Sequence, residues 1–323
     1  MNDHFTLAHL SDVHLGPLPR FPAKYWNAKR VLGYLNWHRA RKARHQRSTL
    51  DRLVADLLAQ NPDHIAVTGD LVNIGLPAEY EAAARWLTEL GSADRVTVVP
   101  GNHDIYTHLA DDPGHERWRP SMQSNEGGRD AAGSGGFPFV RRYGPIALIG
   151  LNSAVPTRPF HAGGRLGTEQ RRRVEAILGQ LGADGVLRVV LIHHPPLPGQ
   201  ATPQKALQDA AELEGLLKAT GAELVLHGHN HRSMHETRRH ASGDVHVIGV
   251  PSASLGQPHK GEHLARYHLF RLPKDGSGIE MVARGLLEPG GPVVEIERRR
   301  LSPSPPDKRP ATSSPHENSA RLT

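Results

Sequence analysis

Short apolar runs, each ending in a polar cluster and followed by a stretch of helical period, recur along this chain. The runs are Phe5–Leu10, His64–Thr68, Arg95–Val99, Ile146–Leu151, Leu187–Ile192, Ala222–Leu226 and Val245–Val250. They are rich in Val, Ile and Leu without strict alternation, the pattern of strands covered on both faces. Between them the spacing turns helical. Ser48 is placed to cap a helix carrying Leu50, Leu53, Val54, Leu57 and Leu58, with Asn61-Pro62 as its stop. Pro77 opens a second through Ala83, Trp86, Leu87 and Leu90 to Gly91. Thr168 opens a third through Val174, Ile177, Leu178 and Leu181 to Gly182, and a fourth spans roughly Lys205 to Ala219 before Gly221. Strands alternating with helices predict a layered α/β fold.

Three segments break this rhythm. Residues 17–47 form an insertion after the first strand, and residues 105–142 read as a long loop of the kind that serves as a lid or stays disordered. From about Ser302 the chain is rich in Pro, Ser and charge, so a single domain is expected over residues 1–298 and a disordered tail over 299–323. Internal repeats are absent.

Charge changes the picture in one place. Between Asp12 and Asp51 there is no acidic residue, while Arg20, Lys24, Lys29, Arg30, Arg39, Arg41, Lys42, Arg44 and Arg47 lie in that stretch. The other 30 of the 39 Lys and Arg residues face 33 Asp and Glu. The formal charge of +6 therefore belongs to the insertion, and so does any argument from charge to partners. The chain has no cysteine, which excludes disulfides, thiolate metal sites and thiol nucleophiles. No apolar run approaches the roughly 18 residues of a membrane span. The N-terminus passes from Met1-Asn2-Asp3-His4 straight into Phe5–Leu10 without a basic or apolar leader, the reading of a cytoplasmic protein.

The chemistry sits where the apolar runs stop. The first leads into Asp12-Val13-His14, the second into Gly69-Asp70 and the third into Gly101-Asn102-His103-Asp104. The fifth leads into His193-His194-Pro195-Pro196 and the sixth into Gly228-His229-Asn230-His231. Ligands of α/β sheets bind beyond the carboxyl ends of strands, so five such clusters would meet at one place. Singly, Gly-Asp is a common turn and Asp-x-His recurs by chance; their order and chemical type single these out. Carboxylate, amide and imidazole ligands without thiolate suit Mn, Fe, Zn, Co or Ni, and a carboxylate between two cations offsets their repulsion.

In that order the five clusters resemble the complete signature of the calcineurin-like metallophosphoesterase family, over about residues 5–250. The resemblance implies a four-layer α/β/β/α sandwich and a phosphoester hydrolase with two divalent metal ions, in which a metal-bridging hydroxide attacks phosphorus. By motif position it implies that Asp12, His14 and His231 hold one metal, that Asn102, His193 and His229 hold the other, and that Asp70 bridges them. It places His103 against the substrate phosphate, with Asp104 fixing its orientation. His194 and His227 match no ligand position and are expected to pack behind the ligands. His-His-Pro-Pro and Gly-His-Asn-His resemble the cyclic-nucleotide phosphodiesterase branch most, although that branch carries a shorter segment after Asp-x-His.

The insertion mixes cations with aromatics from Lys24-Tyr25-Trp26 to Trp37-His38-Arg39. It reads as a solvated basic helix packed on the body, as a platform for an anionic membrane surface or lipid-linked phosphoester or pyrophosphate, or as a nucleic-acid contact. The substrate is thus expected to be a phosphate ester, with a phosphodiester foremost. The alternative from another class is a metal-binding scaffold without catalysis, which the intact set of ligand positions and His103 disfavours.

Overall fold

The computed structural model describes residues 4–20, 22–107, 109, 111–132, 136–273 and 278–301. The expected tail over residues 302–323 lies outside them. In chain order the elements begin with β1 (His4–Leu10), α1 (Ala28–Asn36), α2 (Lys42–Arg44), α3 (Arg47–Ala59), β2 (His64–Val67), α4 (Pro77–Leu90) and β3 (Val96–Val98). They continue with α5 (Arg129–Ala132), β4 (Phe139–Tyr143), β5 (Ile146–Gly150), α6 (Thr168–Ala183), β6 (Leu187–Leu191), α7 (Ala210–Thr220) and β7 (Leu224–His227). The chain closes with β8 (Met234–His240), β9 (Gly243–Gly249), β10 (Arg266–Pro273), β11 (Ile279–Leu286) and β12 (Val293–Leu301).

These strands form two six-stranded sheets, in the orders β12-β11-β10-β1-β2-β3 and β4-β5-β6-β7-β9-β8. In the first, β1, β2 and β3 are parallel, and β10 runs antiparallel to β1. In the second, β5, β6, β7 and β9 are parallel. Alternation along the central strands explains the stacking. Ile146, Leu148, Val189, Leu191, Leu224 and Leu226 share one apolar core with the first sheet. Their neighbours Ala147, Ile149, Val190, Ile192 and Val225 point the other way, into a core built with Val174, Ile177, Leu178 and Leu181 of α6 and Leu213, Leu216 and Leu217 of α7. Leu50, Leu53 and Leu57 of α3 and Tyr80, Ala83, Trp86, Leu87 and Leu90 of α4 cover the first sheet. The result is the α/β/β/α sandwich, with the seven expected strands all present.

The differences have local causes. α3 starts at Arg47 behind Gln46, and no side chain caps it, so Ser48 lies in its first turn. Gly182 falls inside α6 rather than ending it, and a side chain there would strike the Arg188 guanidinium, which accounts for the glycine. α7 begins at Ala210 instead of Lys205: Leu207 bridges to Gly164, and the Asp209 carboxylate accepts the N–H of Leu166 at 3.0 Å and Gly167 at 2.8 Å. The segment 105–142 is no lid over its described part. Trp118 is buried and donates to the Tyr80 carbonyl at 3.2 Å, Arg141 is buried against the carbonyls of Gln123 and Val96, and β4 starts inside the segment. β12 runs to Leu301, so the boundary expected at 298 falls within a strand.

Candidate metal centre

The parallel strands end on one side of the sandwich, and the polar clusters follow them. Three of the five clusters turn sharply. Asp12, His14, Asp70, His229 and His231 all have positive φ, between 43° and 70°. Side chains rarely adopt that region, and such backbone collects at functional sites, where packing over-determines it. Two glycines of the motifs are there for space. A Cβ at Gly101 would collide with the Asp70 carboxylate, and one at Gly228 with Ser11 and Asp12.

The turns gather two groups of ligand-type side chains: Asp12 with His14 and His231, and Asp70 with His193 and His229. Asp70 lies between them. Its Oδ2 is 3.8 Å from Nε2 of His14 and 3.5 Å from Nε2 of His193. Its Oδ1 is engaged elsewhere, accepting the His103 N–H at 2.8 Å. Asn102 joins the second group, its Oδ1 3.1 Å from His193 Nε2. In the first, Nε2 of His231 is 3.2 Å from Asp12 Oδ1, while Asp12 Oδ2 accepts the His229 N–H at 2.9 Å.

The tautomers follow from the carbonyls. Nδ1 of His14 lies 3.3 Å from the Val72 oxygen, and Nδ1 of His193 lies 2.7 Å from the Thr68 oxygen. A carbonyl only accepts, so both Nδ1 atoms carry hydrogen and both Nε2 atoms aim inward. Around Nε2 of His193 stand the Asn102 amide oxygen, Nδ1 of His229 at 3.2 Å and the Asp70 carboxylate. These oxygen and nitrogen atoms converge on one point, and their chemistry fits a divalent cation. Burial pushes His14 and His229 well below the usual imidazole range, keeping them neutral, the form that ligates metals. Burial also lowers His231, but Asp12 outweighs it and lifts the ring to about 9. For Asp70 burial prevails over His193 and raises the carboxyl.

His103 stands beside the two groups. Its Nδ1 donates to the Asn73 carbonyl, its ring stacks on Tyr106 at 5.6 Å, and the residue lines the cavity beside the two groups. The orienting role expected of Asp104 is not what its contacts support. Its carboxylate accepts the N–H groups of Asp70 at 2.7 Å, Leu71 at 2.9 Å, Val72 at 3.1 Å and Gly101 at 2.9 Å, and thus ties two loops together, while the Asn73 carbonyl orients His103. His194 has no lone pair to offer: Nε2 faces the Ala162 oxygen at 3.0 Å and Nδ1 the Ser153 hydroxyl at 2.8 Å. His227 is buried with Nδ1 at 3.1 Å from the Gly228 oxygen.

Residues 5–233 match the family described as calcineurin-like phosphoesterase. The chain belongs to that family. It is a metal-dependent phosphoesterase. A probable cyclic nucleotide phosphodiesterase of Synechococcus is 29% identical over 225 residues, 69% of this chain and 76% of that protein. A cAMP/cGMP dual specificity phosphodiesterase of Mycobacterium tuberculosis is 27% identical over 76% of this chain and 65% of its own length. The glycerophosphodiester phosphodiesterase of Enterobacter lignolyticus is 27% identical over 67% and 71%. Among solved structures, a dimetal phosphatase from Danio rerio superposes with a TM-score of 0.61 at 14% identity, covering 94% of this chain and all of that one, which bears on the fold alone.

The insertion of this phosphoesterase is pinned to the body at a few buried side chains, while most of its surface stays solvated. Trp37 is buried against Gly16. Arg30 is buried and donates to the carbonyls of Ile74 at 3.3 Å, Gly75 at 3.1 Å and Tyr25 at 3.2 Å. Lys29 reaches the Tyr106 carbonyl at 2.8 Å and the Thr157 hydroxyl at 3.0 Å. Arg41 enters the centre itself, its guanidinium 2.8 Å from His14 Nε2 and 3.1 Å from His103 Nε2. Sequence reasoning missed this arginine, as it missed His45, whose ring lies 4.6 Å from that of His14, and Glu262, 3.4 Å from His231 Nδ1. In a run of nine similar cations nothing marks the one that turns inward. The centre opens into a cavity of about 1180 Å³ lined by Lys29, Arg41, Arg44, Lys205, Arg232 and Lys260. Two carboxylates, Asp70 and Glu262, line it as well, so the lining carries an excess of positive charge.

Proposed function

We propose that this chain is a dinuclear phosphodiesterase. Asp12, His14 and His231 would hold one divalent cation; Asn102, His193 and His229 would hold the other; Asp70 would serve both. The observation that carries the reading is the aim of two imidazole Nε2 atoms, from His14 and His193, at the same oxygen of Asp70. When bound, a cation pair brings Lewis acidity and lowers the pKa of water at neutral pH. The chain's own residues do the rest. Asp104 holds the Asp70 loop, and Asn73 holds the His103 ring. His103 lines the cavity, where its ring would stand against the phosphoryl group and take part in proton transfer. The cationic wall draws an anionic ester in.

The preference for a diester rests on the names of the relatives, two of them cyclic-nucleotide enzymes and one a glycerophosphodiester enzyme. Metal-stripped protein is reloaded with Mn, Fe, Zn, Co or Ni and offered bis-p-nitrophenyl phosphate beside p-nitrophenyl phosphate, then cyclic nucleotides and glycerophosphodiesters. Turnover that needs metal and favours the diester is expected. Turnover of the monoester alone defeats the diester assignment, and the absence of turnover with every metal defeats the hydrolase reading.

One observation favours a second reading, an amphiphilic phosphoester taken from an anionic membrane surface. Leu32, 40% exposed, and Phe160, 87% exposed, both line the cavity, and Trp26 on the same insertion is 63% exposed. Among the described residues no helix is long and apolar enough to cross a membrane, so contact would be peripheral. Salt-sensitive sedimentation with phosphatidylserine vesicles, lost when Trp26 and Leu32 become Ser, is the expected result. Sedimentation equal to that on phosphatidylcholine counts against it.

A further inference from the structure

We infer that Arg41, carried into the centre by the basic insertion, binds a non-bridging phosphoryl oxygen of the substrate. The inference rests on the phosphoesterase reading above and adds a substrate-binding residue to it.

The backbone delivers this side chain deliberately. Trp37–Arg41 is a π-helical turn between α1 and α2, closed by the Lys42 N–H on the Trp37 carbonyl. Single π turns inside α-helices occur mostly at functional sites, because the wider turn redirects the side chains after it. Both flanks are pinned. Trp37 is buried, the Arg44 carbonyl accepts the Gly256 N–H at 2.8 Å, and the Gln46 N–H donates to the Ser254 carbonyl at 2.8 Å.

Among the described residues the guanidinium hydrogen-bonds two imidazoles and no carboxylate. Nη2 is 2.8 Å from His14 Nε2, and Nη1 is 3.1 Å from His103 Nε2. Both rings donate through Nδ1 to backbone carbonyls, so both Nε2 atoms accept from Arg41. Arginine does not deprotonate in proteins, and its planar fork matches phosphate oxygens. The His14 lone pair is also a cation ligand. A cation held there would compete for that lone pair, and Nη2 would then be a charged donor free for an anion beside His103. A phosphoryl oxygen is the anion that satisfies it there.

The test uses full-length, metal-loaded protein and inorganic phosphate, titrated calorimetrically into the parent, Arg41→Ala and Arg41→Lys. Arg41→Ala should weaken phosphate binding about ten- to a hundredfold, the range of one hydrogen bond to a charged group. Arg41→Lys should fall between. The metal affinity of the stripped protein should stay equal or rise, since the competitor for His14 is gone. KM for the diester should climb with the phosphate dissociation constant. Phosphate affinity within about twofold of the parent overturns the inference, as does a loss traced wholly to weaker metal binding. Should Arg41→Ala not fold, Arg41→Gln carries the same comparison. A parent that binds neither phosphate nor ester would instead defeat the phosphoesterase reading beneath it.

Discussion

Oδ2 of Asp104 accepts the backbone N–H of Asp70 at 2.7 Å, and the same carboxylate takes the N–H of Gly101, Leu71 and Val72. One buried side chain thus sets the distance between the loops bearing Asp70 and His103. Arg41 and the Asn73 carbonyl, not Asp104, are the groups at the His103 ring nitrogens.

Asp104→Ala should therefore act first on the fold and the metals. Four buried donors lose their acceptor, a loss of about 3–5 kcal/mol. The thermal midpoint and bound metal should both drop, with Asp104→Asn intermediate. A variant with full metal and an unchanged midpoint but a low rate would return Asp104 to a role on His103.

Asp70→Asn keeps the shape and removes the charge facing His14 and His193. Turnover should vanish and metal content fall by at least one ion per chain in elemental analysis. Full activity in this variant removes the site assignment.

His103→Ala should behave differently. The side chain faces the cavity and belongs to neither ligand group. Metal content should remain, while kcat falls by about 10²–10⁴, the usual span for a lost acid–base group. Metal loss equal to that of Asp70→Asn would make His103 a structural residue.

Arg30→Ala leaves three carbonyls, of Ile74, Gly75 and Tyr25, without their donor. About 2–4 kcal/mol should be lost locally, enough to let the insertion open. Limited trypsin digestion should then cut within residues 24–47 faster than in the parent, while the rest of the domain resists.

His64 gives a pH prediction away from the centre. Burial, with Arg141 and Arg95 nearby, lowers this histidine to about 3, and its Nε2 is 2.7 Å from the Thr97 hydroxyl. The unfolded chain binds this proton from about pH 6.5 downward, the folded chain only near 3. Stability is therefore complete above 6.5 and declines between 6.5 and 3, by up to about 1.4 kcal/mol per pH unit from this group. His64→Gln should flatten the fall in thermal midpoint between pH 6.5 and 4.5. An unchanged slope would show that His64 already titrates normally when folded.

The parallel strands and the helices that cover them were legible because they are buried on both faces, and burial leaves a continuous apolar record. The antiparallel strands β4, β8, β10, β11 and β12 were not, although β10 and β11 lie inside the first sheet. β8 reads Met-His-Glu-Thr-Arg-Arg-His and β12 reads Val-Val-Glu-Ile-Glu-Arg-Arg-Arg-Leu, largely polar runs that pair as strands only because a neighbour offers its backbone. β4 was lost in a stretch of Gly and Ser that looked like loop, although Phe139 and Val140 are fully buried.

What the chain alone determined is the cast of the centre and its order, since Asp, His and Asn after apolar runs are chemical choices written in local residues. Folding alone decided the distances among them, the tie from Asp104 to Asp70, and which of nine insertion cations enters. Those depend on contacts between segments far apart, such as Arg41 with His103 and Asp12 with His231, 62 and 219 residues away. A charge in a basic run looks the same whether it ends in water or against His14; the packing of Trp37 behind it makes the difference.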